Sequence, residues 1–158
     1  MTTAIYAGSF DPLTNGHVSV VRGGLVAFKR ITVAVARNPK KTPLFSVEER
    51  LAMLREELGS EPRTRIDDFD GLLVDYAREQ GVRVVLRGLR AVADFEHEWQ
   101  MANVNRHMYP ELETVFIMAT DYFYVSSSFV KEAASLGGDV QGMVPQGVAR
   151  RLRSKFGR

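Results

Sequence analysis

Short apolar runs alternate with longer stretches of helical spacing along the whole chain, and this alternation limits the fold more than any other feature. The runs of strand length are residues 4–7, 31–36, 64–69, 82–86 and 114–118. Strands that alternate with helices predict a parallel sheet with helices on both faces. We therefore expect one α/β domain over residues 1–158, a doubly wound, Rossmann-like fold with a five-stranded parallel sheet.

The stretches between these runs predict the helices. Ser46 and Glu49 form a capping box, in which serine precedes glutamate by three residues, so a helix is expected to begin there. Gly81 and Pro110 are typical of helix ends. The predicted helices cover residues 17–28, 46–58, 72–80, 94–108, 128–136 and 145–155.

Composition excludes several classes of protein. The chain has 158 residues, 45% of them hydrophobic, and no cysteine, which removes disulfide scaffolds, thiol nucleophiles and zinc ribbons. No uncharged run is longer than ten residues, so we expect no membrane-spanning segment. The first residues lack the basic and long apolar regions of a secretion signal. We therefore expect a cytoplasmic protein with no membrane partner.

The net charge of +2 comes from the end of the chain. Five basic residues crowd the last nine positions and the rest of the chain is acidic overall: Arg150, Arg151, Arg153, Lys155 and Arg158. A nucleic-acid-binding domain would spread its basic residues along one face. We interpret residues 145–158 as a basic C-terminal helix or tail with a solvated end, where cations suit the helix dipole, and expect no nucleic-acid partner.

In a sheet of this class, ligands bind beyond the carboxyl ends of the strands, where helix N-termini gather. Four of the five loops there carry cations, hydroxyls or a histidine, and the third carries apolar residues. The loops are residues 8–17, 37–41, 68–73, 87–90 and 122–128. Taken singly, these residues fit ordinary turns, caps and solvated loops. Together on one rim, they favour a site for an oligophosphate beside a less polar chain.

Other chemistries lack their motifs. The chain has no Walker phosphate loop, no Gly-x-Gly-x-x-Gly fingerprint and no Gly-x-Ser-x-Gly elbow. His97 and Glu98 begin like a zinc-protease motif, but Met101 stands where the second histidine is required. With no obvious nucleophile, the chemistry that remains is positioning and charge neutralisation, which phosphoryl and nucleotidyl transfer require.

Two groups of motifs carry a resemblance to a known family. Residues 8–12 (Gly-Ser-Phe-Asp-Pro) followed by residues 14–17 (Thr-Asn-Gly-His) resemble the T/H-x-G-H signature of the nucleotidyltransferase superfamily. Further segments resemble the bacterial phosphopantetheine adenylyltransferases in order and spacing: residues 40–43, 87–96, 101–107, 125–128 and 130–132. The segment Arg87-Gly88-Leu89-Arg90 with Asp94-Phe95-Glu96 is the most specific.

The resemblance implies transfer of the adenylyl group of ATP to 4′-phosphopantetheine, which gives dephospho-coenzyme A and pyrophosphate without a covalent enzyme intermediate. It implies three catalytic residues: His17, Lys41 and Arg87. It implies that ATP contacts Ser9, Phe10, His17, Gly88, Leu89, Arg90, Glu98, Tyr122, Phe123, Tyr124, Val125, Ser126, Ser127 and Ser128. The acceptor would contact Ser9, Lys41, Leu73 and Arg87. Mg²⁺ would be held by phosphates and water, with no protein ligand.

The same resemblance implies a homohexamer, and Trp99 is expected to pack in the core or in an interface. Tyr124 and Phe129 stand where phenylalanine and leucine are usual in the family, and Ser9 where threonine is frequent. Two alternatives stay open: a cytidylyltransferase that acts on a polyol phosphate, and a non-catalytic nucleotide sensor. A sensor would not need His17, Lys41 and Arg87 together, because nucleotide binding alone requires no grip on a second phosphate.

Overall fold

Five strands pair in parallel in a single sheet, which confirms the predicted fold class. In the computed structural model, which describes residues 2–38, 40–119 and 121–157, the strands are Thr3–Gly8 (β1), Arg30–Arg37 (β2), Thr64–Asp70 (β3), Val84–Leu89 (β4) and Glu113–Met118 (β5). Their order across the sheet is β3-β2-β1-β4-β5. The order reverses between β1 and β4, and this reversal is the topological switch point of the sheet.

Helices connect the strands and complete the chain. Over the described residues they are Asn15–Ala27 (α1), Val47–Leu58 (α2), Leu73–Glu79 (α3), Val92–Met108 (α4), Ser127–Ser135 (α5) and Gln146–Lys155 (α6). The predicted capping box of α2 is confirmed, because the Ser46 and Glu49 side chains each accept the other residue's backbone N–H. Within the described ranges, none of these helices has the length and apolarity that a membrane crossing requires.

The fourth strand lies later in the chain than predicted. It was expected at residues 82–86, but β4 runs from Val84 to Leu89 and so contains Arg87 and Gly88. Glycine is needed there because a Cβ atom would lie 2.7 Å from the Val20 Cγ2 atom of α1. The charged sequence around Gly88 suggested a loop, whereas residues 84–89 pair in parallel with β5 and so form a strand.

The two faces of the sheet carry separate core clusters. Alternate strand residues point to opposite faces, so Tyr6 and Val33 join the cluster that α1, α2, α5 and α6 cover. Ile5 and Ala34 join a smaller cluster that contains residues of α3. Both faces are therefore apolar, as a parallel sheet requires.

Helix α4 has no buried residue over its whole length. Five of its apolar side chains are exposed: Val92, Phe95, Trp99, Val104 and Met108. Trp99 is 55% exposed, so its expected place in the core of the chain is wrong. The alternative, that Trp99 packs in an interface, stays a prediction.

The basic C-terminal segment is a docked helix rather than a wholly solvated end. Leu152 of α6 is 1% exposed, in the core. Arg150 and Arg151 pair with Glu56 of α2. The solvated interpretation therefore holds for only one side of α6. Arg158, which was counted in the tail, lies outside the described residues, as does Pro39 of the loop after β2.

Candidate functional site

A cavity of about 590 Å³ opens at the carboxyl edge of the sheet, beside the switch point. This volume is in the range of small-molecule sites. We call it the switch-point cavity. The predicted site residues that line it are Ser9, Phe10, His17, Lys41, Arg87, Gly88, Arg90, Glu98, Val125, Ser126, Ser127 and Ser128. The topology thus brings together residues from four separate stretches of the chain, at 9–17, 41, 87–98 and 125–128.

The T-x-G-H segment builds the start of α1. Thr14 is the N-cap residue, and its Oγ1 atom accepts the backbone N–H of His17 at 3.3 Å. In return, the backbone N–H of Thr14 donates to His17 Nδ1 at 3.0 Å. This is a capping box in which histidine takes the place of glutamate. Because Nδ1 accepts a hydrogen bond, the proton of the neutral ring lies on Nε2.

His17 is neutral at ordinary pH. Burial lowers its pKa, the positive charges of Arg90 and Arg87 lower it further, and the resulting pKa is about 4. The N-terminus of α1 also disfavours an imidazolium ion. A neutral imidazole with its proton on Nε2 is a hydrogen-bond donor that carries no charge of its own, and it lines the cavity.

Phe10 supports this histidine from the turn after β1. Its backbone φ is 47°, in the left-handed region that a bulky residue rarely adopts. Its ring is buried and packs edge-on against Tyr6 and His17, with ring centroids 5.4 and 5.0 Å apart. Such strain persists where the surrounding structure fixes it, and it clusters at functional sites.

Arg87 is held by three hydrogen bonds. Its Nε and Nη2 atoms donate to the two carboxylate oxygens of Glu98 at 2.9 and 2.7 Å, and Nη1 donates to the carbonyl oxygen of Ala7 at 2.8 Å. Burial alone would lower the pKa of Arg87, but the hydrogen bonds and charge of Glu98 raise it above its usual value. Arg87 is therefore a fixed, permanent cation beside the end of β1.

Arg90 and the serines line a further part of the cavity. Arg90 Nη1 donates to the Val125 carbonyl oxygen at 3.1 Å, and its Nε atom pairs with Asp94 at 3.4 Å. Ser126 caps α5, and the Ser127 hydroxyl donates to the Pro12 carbonyl oxygen at 2.8 Å. These contacts bring the N-terminus of α5 to the turn that leads into α1, so two helix N-termini meet the cavity, an arrangement that suits anions.

Lys41 differs from these residues because it is exposed. It lies in a turn closed by its backbone N–H, which donates to the Asn38 carbonyl oxygen at 3.2 Å. Among the residues that the structure describes, no carboxylate pairs with its ammonium group, which is free to bind an anion.

The charges that line the switch-point cavity favour anionic ligands. Its cations outnumber its carboxylates, with Lys41, Arg50, Arg87, Arg90 and Lys131 against Asp11, Asp94 and Glu98. Each of these carboxylates pairs with a cation of the wall, Asp11 with Lys131, Asp94 with Arg90 and Glu98 with Arg87. The arrangement can hold two phosphate groups together and stabilise charge that develops between them.

Comparisons with known proteins agree with this geometry. A family model described as cytidylyltransferase-like matches residues 5–133. The phosphopantetheine adenylyltransferase of Anaeromyxobacter sp. is 56% identical over 156 residues, which cover 98% of this chain and 95% of the relative. The protein of that name from Dictyoglomus thermophilum is 52% identical over 158 residues, which cover 99% and 96%. The chain belongs to the phosphopantetheine adenylyltransferase family.

Some residues that the family resemblance predicts do not line the cavity: Leu73, Leu89, Tyr122, Phe123 and Tyr124. Leu73 begins α3 and packs against the smaller core cluster. Phe123 and Tyr124 are exposed and pack edge-on against each other. Their contacts with substrate stay predictions.

Other residues line the cavity although sequence reasoning gave them no role. Asp11 and Arg50 are buried, and Lys131 pairs with Asp11. Asp11 lies inside the motif that carries the resemblance, so its position was a signal. Arg50 gave none, because an arginine in an amphipathic helix normally lies in solvent.

Proposed function

We propose that this protein transfers the adenylyl group of ATP to 4′-phosphopantetheine, giving dephospho-coenzyme A and pyrophosphate. The observation that carries the proposal is a neutral His17 that lines the switch-point cavity together with Arg87 and Arg90. Curated proteins of the same family, 50–56% identical over nearly the full chain, carry the name of this activity.

The reaction needs positioning more than acid–base chemistry. An oxygen of the pantetheine phosphate forms a bond to the α-phosphorus of ATP. The bond from that phosphorus to the bridging oxygen of the β-phosphate breaks, and pyrophosphate leaves with the electron pair. Because the attacking phosphate is already anionic, no general base is required. His17 Nε2–H would donate to an α-phosphate oxygen, where charge develops in the transition state.

The acceptor phosphate would lie between Lys41 and Arg87. Arg87 is fixed by Glu98, whereas Lys41 reaches from an exposed turn. Holding two anions side by side converts a bimolecular encounter into an oriented one. The Ser9 hydroxyl would contact both substrates, and Leu73 would lie along the pantetheine arm.

ATP would occupy the side of the cavity formed by β4 and α5. We place residues 88–90 and 122–128 along the nucleotide, with the Phe10 backbone on its other side. Arg90 and Ser126 to Ser128 would face the β- and γ-phosphates at the N-terminus of α5. Glu98 pairs with Arg87 in the structure, so ATP would contact Glu98 while this ion pair is kept.

Mg²⁺ is part of the proposal, with substrates and water, and no side chain, as its expected ligands. The described residues hold no cluster of three carboxylates, histidines or cysteines that could bind a metal ion. The donors available to Mg²⁺ are substrate phosphate oxygens and water, which are ligands that it commonly keeps. Bound in this way, Mg²⁺ would neutralise part of the triphosphate charge.

A homo-oligomer of this chain, a hexamer by family resemblance, is also proposed. The support is the exposed face of α4, where Val92, Phe95 and Trp99 recur at helical spacing. Exposed apolar patches of this kind mark interaction sites. Light scattering of the protein and of Trp99→Glu tests this, because the variant should dissociate into smaller species. An unchanged mass would remove Trp99 from the interface. We expect the assembly in the cytoplasm.

A pyrophosphate-release assay tests the function. We expect release with ATP only when phosphopantetheine is present, and little release when CTP replaces ATP. Release with CTP and a polyol phosphate instead would make the protein a cytidylyltransferase. No release with any pair, despite binding of ATP, would make it a nucleotide sensor.

A further inference from the structure

Two buried charged side chains line the cavity outside the proposed substrate contacts. Arg50 of α2 is 4% exposed, and Asp11, in the turn after β1, is 6% exposed. A buried charge costs several kcal/mol of desolvation unless its partners compensate for it. The contacts of Arg50 and Asp11 must therefore compensate for this cost.

Arg50 bridges α2 and the turn after β1. Its Nη1 atom donates to the carbonyl oxygen of Ser9 at 2.8 Å, and its Nε atom donates to the carbonyl oxygen of Ser46 at 3.3 Å. Both partners are neutral, and no carboxylate of the described residues pairs with the guanidinium. Arg50 thus holds the backbone of Ser9 and leaves a full positive charge beside the cavity.

Asp11 connects the same parts of the chain from the other end, because here the side chain belongs to the turn after β1 and its partners precede α2. Its two carboxylate oxygens accept the backbone N–H groups of Leu44 and Phe45 at 3.0 and 2.9 Å. Oδ2 also accepts from Lys131 Nζ of α5 at 3.0 Å. The carboxylate therefore ties the turn after β1 both to the segment before α2 and to α5.

These contacts join the same two segments, residues 9–11 and residues 44–50, from both sides. We call them the cross-clamp. The turn that carries Lys41 runs directly into the second segment, so its end is fixed where Asp11 binds. The first segment leads into the helix that carries His17. The cross-clamp therefore connects the turn that carries Lys41 to the segment that leads to His17.

We propose that Asp11 and Arg50 are positioning residues that set the place of Lys41 relative to His17. Loss of the cross-clamp would leave the ammonium group present but displaced, and small displacements of a positioned group can lower rates about 10²-fold. The inference rests on the proposed function, in which Lys41 binds the acceptor phosphate.

A double-mutant cycle of Arg50→Met and Lys41→Ala tests the proposal. Arg50→Met should lower kcat/KM for phosphopantetheine about tenfold, and the Kd of ATP should change less than threefold. In the Lys41→Ala background, Arg50→Met should lower kcat/KM further by less than about twofold. The effects of residues that act through each other are not additive. Arg55→Met, an exposed arginine of the same helix, is the matched control and should change neither value.

A purely structural role would give a different result. Methionine removes an uncompensated buried charge and fills similar space, so we expect little loss of thermal stability. No effect of Arg50→Met, or the same fold-loss in both backgrounds, would overturn the proposal. Arg50→Lys, which keeps the charge but has one donor nitrogen in place of three, should retain more activity than Arg50→Met.

If Arg50→Met does not fold, Asp11→Asn decides by the same cycle, because it keeps the shape and places an amide against one of the two backbone donors. The same fold-loss from Asp11→Asn in both backgrounds would also overturn the proposal. The single variant Lys41→Ala distinguishes failure of the proposed function from failure of the cross-clamp inference. If it leaves phosphopantetheine kinetics unchanged, the proposed role of Lys41 fails. If it acts but the cycle is additive, only the cross-clamp inference fails.

Discussion

The inner wall of the switch-point cavity and its outer rim hold their functional groups in different ways. On the wall, His17 and Arg87 are fixed by hydrogen bonds to neighbouring residues. On the rim, Lys41 is exposed and unpaired among the described residues, and Phe123 and Tyr124 lie in solvent. The wall side chains are therefore fixed by the protein itself, whereas the ammonium group of Lys41 on the rim is not. We therefore expect wall residues to govern turnover and rim residues to govern affinity.

The largest effect is expected at the wall, for His17→Ala. Removing one preorganised donor to a developing charge lowers kcat about 10²–10³-fold. Binding of ATP should change much less, because the donor acts mainly on the transition state. Single-turnover kinetics and ATP titration measure the two quantities, with His107→Ala, an exposed histidine of α4, as control. Unchanged turnover would remove His17 from the chemistry.

Arg87→Lys should have the next largest effect. Lysine keeps the charge but loses the planar fork that binds Glu98 with two parallel hydrogen bonds. We expect kcat/KM for phosphopantetheine to fall about 10–10²-fold through lost positioning. Steady-state kinetics with phosphopantetheine varied measures this. A lysine variant with wild-type kinetics would show that charge alone suffices at this position.

Lys41→Ala tests the rim. We expect KM for phosphopantetheine to rise about tenfold, the scale of one lost charge-assisted hydrogen bond. Turnover should fall by a smaller factor than in His17→Ala. Kinetics over a wide range of phosphopantetheine concentration separate KM from kcat. A loss confined to kcat would place Lys41 with the wall and break the comparison.

The smallest effect is expected on α6, outside the cavity. Replacing Arg150 and Arg151 by glutamine removes two exposed ion pairs with Glu56, each contributing about 0–1 kcal/mol to the free energy of unfolding. We expect kcat/KM to change less than twofold, and thermal unfolding measures the stability. A large loss of activity would connect the basic helix to the substrates.

Local signals predicted most of the fold, and tertiary contacts explain the rest. Ser46 and Glu49 lie three residues apart, so the sequence spacing alone predicts their capping box. By contrast, Gly88 lies in a strand because β4 pairs with β5, whose residues are distant in sequence. Trp99 looks like a core residue by type alone, although the isolated chain leaves it exposed.

The candidate site also contains residues that local sequence signals predict and residues that only tertiary contacts explain. His17 was predictable because the T-x-G-H segment is both a motif and a helix start. Arg87 differs, because one of its partners, Ala7, lies 80 residues away and no local pattern indicates such a contact. Arg50 was missed for the same reason, since its acceptor in the turn after β1, the Ser9 carbonyl oxygen, lies 41 residues away.

The central claim is that His17 enters the reaction as a neutral imidazole with its proton on Nε2. Nitrogen NMR of the protein labelled at histidine, followed as a function of pH, tests it directly. We predict an unprotonated Nδ1, a protonated Nε2 and a titration midpoint at a pH of about 4. A midpoint near the ordinary histidine value of about 6.5, or a proton on Nδ1 at neutral pH, would contradict the account.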